Sequence, residues 1–600
     1  QDGIVGGNFN RSNYERLTLR SNTQYTLFDE SKNRNWLNSL KVTSNLSYAR
    51  IKSTGIEANS TWGSPLGSAL ALSPMLTVYD EGDAAQAQLD KYANTTDYTP
   101  IYDPRNGKLF SIPGSEFGEM TNPIANLSLP GAKNWSHKFV ANFSAELQLW
   151  DNLRFKTSYG ADLSFWGNDG YTPLYYLRSG GASSRSTAYS EKHDGTVWQL
   201  ENVLMYDKTI DKHTFSVLLG QSAKKNTGSY LRGTRNNIIN YSRPYLNAST
   251  GQAADGDQTA AGAPSEIATL ASLFARASYN YDERYMFQVT IRRDGSSRFG
   301  SNNHYAVFPS FSLGWRLNRE KFMQNLSWID DLKVRGSWGQ TGNQEISNIA
   351  RYTIYVPNYG VTESGGQSYG TSYDIAGTNG GSILQSGFKR NQIGNDNIKW
   401  ETTTQTNLGL DFSLFKQSLY GSFDWFYKKT TDILVQMAGI AAMGEGSSQW
   451  INAGEMKNVG VELNLGYRNQ TRFGLKYDLN ANISTYRNEI TKLPTTVAAN
   501  GTFGGNGVQS VIGHANGSQV GYVADGIFKS QEEIDNHATQ EGAGIGRIRW
   551  RDLDGNGIIN EKDQQWIYNP TPDFSYGLNI YLEYKNFDLT MFWQGCLLYT

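Results

Sequence analysis

Lys138–Leu149 reads KFVANFSAELQL, and Leu153–Trp166 reads LRFKTSYGADLSFW. In the first run Phe139, Ala141, Phe143, Ala145, Leu147 and Leu149 share one face, and Asn142, Ser144, Glu146 and Gln148 share the other. The second run repeats this, with Leu153, Phe155, Tyr159, Leu163 and Phe165 set against Arg154, Lys156, Ser158, Asp162 and Ser164. A strand puts successive side chains on opposite faces, so a period of two sustained this long predicts strands, not helices. Asp151 and Asn152 between the runs supply a tight hairpin turn. The pair fixes the unit from which the rest of the chain is read: a long, two-faced antiparallel hairpin.

The same pattern returns at 273–281, 285–291, 309–317, 332–338, 408–414, 419–427, 459–467, 475–483 and 574–582, and more weakly at 17–27, 40–48, 198–206 and 215–219. That amounts to roughly sixteen strands, many as long as the ~9–11 residues a tilted strand needs to cross hydrocarbon. The connections have two sizes. Asp151-Asn152, Asp282-Glu283-Arg284, Lys416-Gln417 and 469–472 are short, whereas 223–266, 342–397 and 488–518 are long and rich in Gly, Ser, Asn and Tyr. Tight turns on one rim and long loops on the other predict an outer-membrane barrel, and no period of about 40–50 residues supports a propeller.

Composition agrees. The 600 residues carry 62 Gly, 36 Tyr and 13% aromatics, and no run of 18 apolar residues offers a helical membrane span. A mean hydropathy of -0.54 is compatible with strands that face lipid on one side only. Lys and Arg total 54 against 56 Asp and Glu, so no bulk positive charge points to nucleic acid. The lone Cys596 excludes a disulfide framework, and the six histidines form no ligand spacing; neither GxSxG nor HExxH occurs, so no catalysis is expected. On the strands' polar side stand Arg154, Lys156, Asp162, Glu201, Arg276, Arg292, Lys333, Arg335, Asp424, Lys428, Glu462 and Asp478. Charges of both signs there predict a wet or polar-packed lumen, since lipid would charge several kcal/mol for each.

Five ordered blocks resemble the SusC/RagA family of TonB-dependent outer-membrane transporters of Bacteroidota. They are Asp282–Trp315 (DERYMFQVTIRRDGSSRFGSNNHYAVFPSFSLGW), Leu332–Gln344 (LKVRGSWGQTGNQ), Lys399–Asp432, Asn452–Tyr467 (NAGEMKNVGVELNLGY) and Ala524–Gly595, which holds ADGIF, DLDGNGIINEKDQ and NPTPDFSYGLNIYLEYKNFDLTMFWQG. The resemblance implies an all-β fold, a large antiparallel transmembrane barrel of about 22 strands in the whole family protein, with an N-terminal plug. It also implies active import driven by the TonB complex, a SusD-like surface lipoprotein as partner, and oligosaccharide cargo or, less often, peptides. Residues 1–600 are expected to be the barrel with long extracellular loops, set in outer-membrane lipid, with the plug and TonB-box region outside this chain. A surface adhesion or structural β-protein without transport is the alternative.

Two sets of site residues follow. The loop 551–564 has the spacing of an EF-hand, with Asp552, Asp554, Asn556, the Ile558 carbonyl, Asn560 and Asp563 at the ligand positions and Gly557 at the sharp turn. Asp replaces the usual bidentate Glu at the last position, and strand-like residues replace the helix pair, so a structural Ca2+ or Mg2+ is expected rather than a switch. For cargo or partner contact the loop aromatics Tyr352, Tyr355, Tyr359, Tyr369 and Tyr373 are the candidates, with Trp62, Tyr79 and Tyr92 in another loop.

Overall fold

The structure is a computed structural model that describes residues 13–597, apart from 30–35, 56–63, 94–98, 115–116, 119, 179–180, 253–255, 266, 359–386, 438–447, 499–502 and 505–509. It is all-β, built on a large antiparallel sheet. Sixteen of the described strands have eleven residues or more, in agreement with the alternation. The chain divides into two compact units, residues 1–149, 156–202 and 223–268 in the first and 150–155, 203–222 and 269–600 in the second.

In the first unit, Asn13–Phe28, Ser39–Thr54 and Lys133–Trp150 pair antiparallel in sequence. Their register is the alternation made physical. Tyr48 faces Phe139, Leu46 faces Ala141 and Leu40 faces Leu147 on one side, while Asn45 faces Asn142, Thr43 faces Ser144 and Lys41 faces Glu146 on the other. The connection 55–132 contains the short helices Pro65–Ala71, Gly82–Ala93 and Pro123–Ser128. Each end is chemically marked where the chain allows: Ser64 and Asn122 cap the first and third, with proline just inside both starts.

In the second unit ten strands run as one antiparallel ladder: Ala268–Tyr281, Tyr285–Ser296, Tyr305–Arg316, Ile329–Asn343, Glu401–Leu414, Leu419–Met437, Ser448–Gln470, Lys476–Lys492, Phe574–Tyr584 and Phe587–Leu597. One apolar face crosses it without a break, from Phe287, Leu313 and Val334 through Leu410, Phe423 and Leu463 to Ile483, Tyr576 and Gly595. A one-residue slip in any strand would invert this face locally, so the pattern fixes the register. Glycines admit bulky neighbours on the polar face: a Cβ on Gly460 would lie 2.5 Å from the Thr485 carbonyl and 2.6 Å from the Tyr486 Cβ.

The tight turns fall where the sequence placed them. Asp282 and Glu283 both adopt positive φ near 53°, and Phe415, Lys416 and Gln417 do so at 55°, 57° and 63°. Left-handed residues without glycine cost energy, and they reverse these strands within two or three residues.

The strand ends differ from expectation. Residues 223–236, read as loop, continue the strand His213–Asn236, and 488–492 continue Lys476–Lys492. These extensions (AKKNTGSYLRGTRN and NEITK) carry only isolated apolar residues, Tyr230, Leu231 and the buried Ile490, and so no sustained alternation, yet ladder pairing such as Tyr230 with Ala263 and Asn488 with Asn458 holds them as strand. Phe587–Leu597 is also a strand, ending in residues that the sequence did not mark as one.

Candidate functional site

The loop 551–564 lies within the long connection between Lys476–Lys492 and Phe574–Tyr584, on the rim opposite the tight turns. Its aspartates organise its own backbone. Asp552 accepts hydrogen bonds from the Gly555 and Gly557 N–H groups, both at 2.8 Å. Those glycines have φ of 70° and 80°, which a side chain would oppose. Asp554 accepts from the Asn556 N–H at 3.1 Å and from its amide nitrogen at 2.8 Å. Asp563 is fully buried; it accepts from the Leu553 and Asn560 N–H groups at 2.8 Å and closes a capping box on the short 3-10 turn Glu561–Asp563.

Burial alone would raise the Asp563 carboxyl pKa, but hydrogen bonds from the Asn560, Leu553 and Asp554 backbone and from the side chain of Asp552 outweigh it and hold it below the ordinary carboxylate range. One carboxylate oxygen each of Asp552, Asp554 and Asp563 lies within 4.8 Å of the others. Of the six expected ligands the structure thus gathers these three carboxylates. The Asn556 side-chain oxygen accepts from the Ile558 N–H at 2.8 Å, and the Ile558 carbonyl accepts from the Asn560 amide at 3.1 Å. Parallel bridging of Ile558 to Thr539 ties the loop to the rest of the connection.

The expected contact tyrosines divide. Tyr352 and Tyr355 are exposed at 49% and 59%, Tyr355 on the strand Ile354–Asn358 and Tyr352 with the Arg351 guanidinium 4.5 Å over its ring. Tyr359, Tyr369, Tyr373 and Trp62 lie outside the described residues. Tyr79 is half-buried: its ring stacks on buried Phe110 at 5.4 Å, and its hydroxyl donates to Asp103 at 2.7 Å. Tyr92 likewise donates to Gln88.

Asp103 was not singled out from the sequence. Fully buried, it accepts from the Arg105 guanidinium at 2.6 Å, and that pairing, with the Tyr79 hydroxyl, holds its carboxyl far below the usual range despite burial. Its signal was the turn run DPRNG, in which Asp103 also accepts from the Arg105 N–H at 2.8 Å. The Asp103–Arg105–Tyr79 set pins the connection 55–132.

On the polar face of the second unit the charges pair. Arg335 bridges Asp411 at 3.1 Å and Asp424 at 2.6 Å, and Lys333 reaches Asp411 at 3.7 Å. Arg292 pairs with Asp294 at 2.8 Å, Arg154 with Asp207 at 2.8 Å, and Tyr420 donates to Asp478 at 2.9 Å. Gly409 leaves room for the guanidinium: its Cβ would stand 2.6 Å from the Arg335 Cζ. This polar face carries a set of partly exposed ion pairs.

With this geometry in hand, comparison with known proteins gives a consistent result. The family model "TonB dependent receptor-like, beta-barrel" matches residues 74–594. TonB-dependent receptor P3 of Formosa agariphila is 33% identical over 491 residues, covering 80% of this chain and 46% of that protein. The TonB-dependent receptor SusC of Bacteroides thetaiotaomicron is 27% identical over 595 residues, covering 96% and 53%. Among solved structures the RagAB peptide transporter superposes with a TM-score of 0.74 at 21% identity over 97% of this chain and 57% of that one, a likeness of fold. The chain spans about half the length of the curated relatives it matches.

Proposed function

Because the chain belongs to the TonB-dependent receptor-like β-barrel family, we propose that it forms the wall of an outer-membrane importer for oligomeric nutrients, with glycan oligosaccharides as cargo and a SusD-like lipoprotein over its long loops. The observation that carries this reading is the two-faced ladder of the second unit. An unbroken apolar face meets lipid, and its reverse is lined by paired charges such as Arg335 with Asp411 and Asp424. Such a wall needs no catalytic group; its chemistry is exclusion by lipid on one side and weak, reversible polar contact on the other. The long loops, with exposed Tyr352 and Tyr355, supply contact area at the outer mouth. Coupling to TonB would be a property of the full-length protein.

Uptake tests it. Deleting the full-length gene is expected to abolish growth on one oligosaccharide while monosaccharide growth continues; loss of surface attachment with all uptake intact would favour an adhesin instead.

A second reading concerns the loop 551–564, which we propose holds a structural Ca2+ or Mg2+. Three carboxylates offer oxygens within 4.8 Å of one another, one of them from the buried Asp563, and a cation between them would offset their mutual repulsion. Asp552, Asp554 and Asp563 would provide the charge, and the Asn556 side chain, the Ile558 carbonyl and Asn560 the remaining oxygens. The double substitution Asp552→Ala with Asp554→Ala should lower protease resistance of the loop only in calcium; an equal loss in chelator marks a metal-free turn.

A further inference from the structure

On the first unit, the loop that follows His213–Asn236 folds back across the ends of Leu153–Thr172 and Thr187–Ile210 and encloses a cavity of about 840 Å³. Tyr171, Tyr189, Tyr241 and Tyr245 line it, with Lys133 and Asp169. None of these was marked by the sequence, and the transport reading does not use them.

The strand pattern gives its level. Leu153, Phe155, Tyr159, Leu163 and Phe165 form the apolar face of Leu153–Thr172, and period two carries the same face on through Gly167 to Asp169 and Tyr171. From Leu153 to Phe165 a strand tilted by about 40° climbs roughly 30 Å, while the apolar band of a barrel is about 25 Å tall. Asp169 and Tyr171 therefore stand on the lipid side just beyond the hydrocarbon, at headgroup height. The same face carries Trp135 beside Gly167, whose Cβ would meet that ring at 2.9 Å, an interfacial aromatic directly below the cavity.

The lining asks for a particular ligand. Tyr241 and Tyr245 are 60% and 69% exposed, so broad ring faces stand open, and Tyr171 lies 6.3 Å from Tyr241. The Tyr171 hydroxyl is buried with no hydrogen-bond partner, an uncompensated polar group at the wall of the cavity. Asp169 accepts from the Ser190 hydroxyl at 2.6 Å, and Lys133 in the same lining leaves the site without a net charge preference. Flat apolar faces, an orphan hydroxyl and a carboxylate acceptor match a sugar ring, which offers C–H faces and hydroxyls that both donate and accept; a zwitterionic phospholipid headgroup offers neither face.

We propose that this cavity binds the saccharide headgroup of an outer-leaflet glycolipid, holding the barrel's long-loop rim to the surrounding leaflet. The inference rests on the membrane-barrel reading and not on import. Its test reconstitutes the purified chain in nanodiscs of phosphatidylethanolamine with or without lipopolysaccharide that carries lipid A and core sugars, and measures glycolipid retained through detergent extraction by native mass spectrometry. Tyr241→Ala combined with Tyr245→Ala should cut retention roughly tenfold, the worth of two lost aromatic contacts. Tyr159→Ala, on the same face within the band, should leave it unchanged. Tyr171→Phe should raise the melting temperature without glycolipid and shrink the gain that glycolipid confers.

Undiminished retention in the tyrosine pair overturns the proposal, as does an equal loss in Tyr159→Ala, which would mean general aromatic anchoring only. Equal retention of a glycolipid stripped of its core sugars overturns the headgroup assignment. A chain that stays monomeric in water without detergent would instead remove the membrane reading itself, and unchanged oligosaccharide uptake in the tyrosine variants leaves import standing either way.

Discussion

The ladder of the second unit and the loop 551–564 within its longest connection are built on opposite economies. In the ladder the backbone bonds itself strand to strand, and side chains decide only which face meets what; Leu410, Phe423 and Leu463 line up because the register allows no other choice. In the loop no ladder exists, so side chains must hold the backbone: Asp552, Asp554 and Asp563 between them accept from seven of its N–H groups or amides. Damage to the first should therefore spread along many strands, and damage to the second should stay local.

The largest effect is expected in the ladder. Gly460→Val would force a side chain into a space where even a Cβ meets the Thr485 carbonyl at 2.5 Å and the Phe426 ring at 2.7 Å, both across strand pairings. Overpacking of that kind costs about 3 kcal/mol. It should appear as a lowered unfolding temperature of the whole barrel in detergent, read by loss of β circular dichroism. A fall confined to one hairpin would break the contrast.

Next comes the loop. Asp563→Ala removes the buried carboxylate and leaves the Leu553 and Asn560 N–H groups without their acceptor, at about 2 kcal/mol. Hydrogen exchange should rise across 551–568 while barrel unfolding stays put. The pH dependence has a definite sign: a carboxyl held below its ordinary range contributes stability that is fully present above the unfolded value near 3.9 and is lost as pH falls through the lower folded value. Protease resistance of the loop should thus be flat from neutral down to about pH 4 and drop only below it. Loss between pH 5 and 7 would point to another group.

The same contrast explains what could be read in advance. Lys138–Leu149 announced its strand because water and hydrocarbon impose opposite demands on its two faces. Residues 223–236 and 488–492 carry too few apolar residues to alternate, with Ile490, buried in a core cluster, standing alone among polar neighbours in sequence, so they passed for loop. The spacing of Asp552, Asp554 and Asp563 was legible because loop chemistry is local in sequence. The packing of Tyr79 was not legible for the converse reason: its partners Asp103 and Phe110 lie 24 and 31 positions on, and nothing local announces them. The tyrosine-lined cavity at 171, 189, 241 and 245 depends on a fold-back that no single segment encodes.

The smallest effect lies where the ladder has left the apolar band. Lys457 and Glu489 face each other across Ser448–Gln470 and Lys476–Lys492 and form an ion pair at 2.9 Å, about a third exposed on each side. Cross-strand opposition favours the pair, but water screens it and both long side chains lose freedom in making it, so Lys457→Ala should cost at most about 0.5 kcal/mol. The double variant with Glu489→Ala should match the single within error, and 0.5 M salt should erase what difference there is. Were the pair worth several times more, the polar extensions would be holding register by charge and not by backbone pairing alone. Their strand character, invisible to hydropathy, would then have been written in the alternation of Lys and Glu after all.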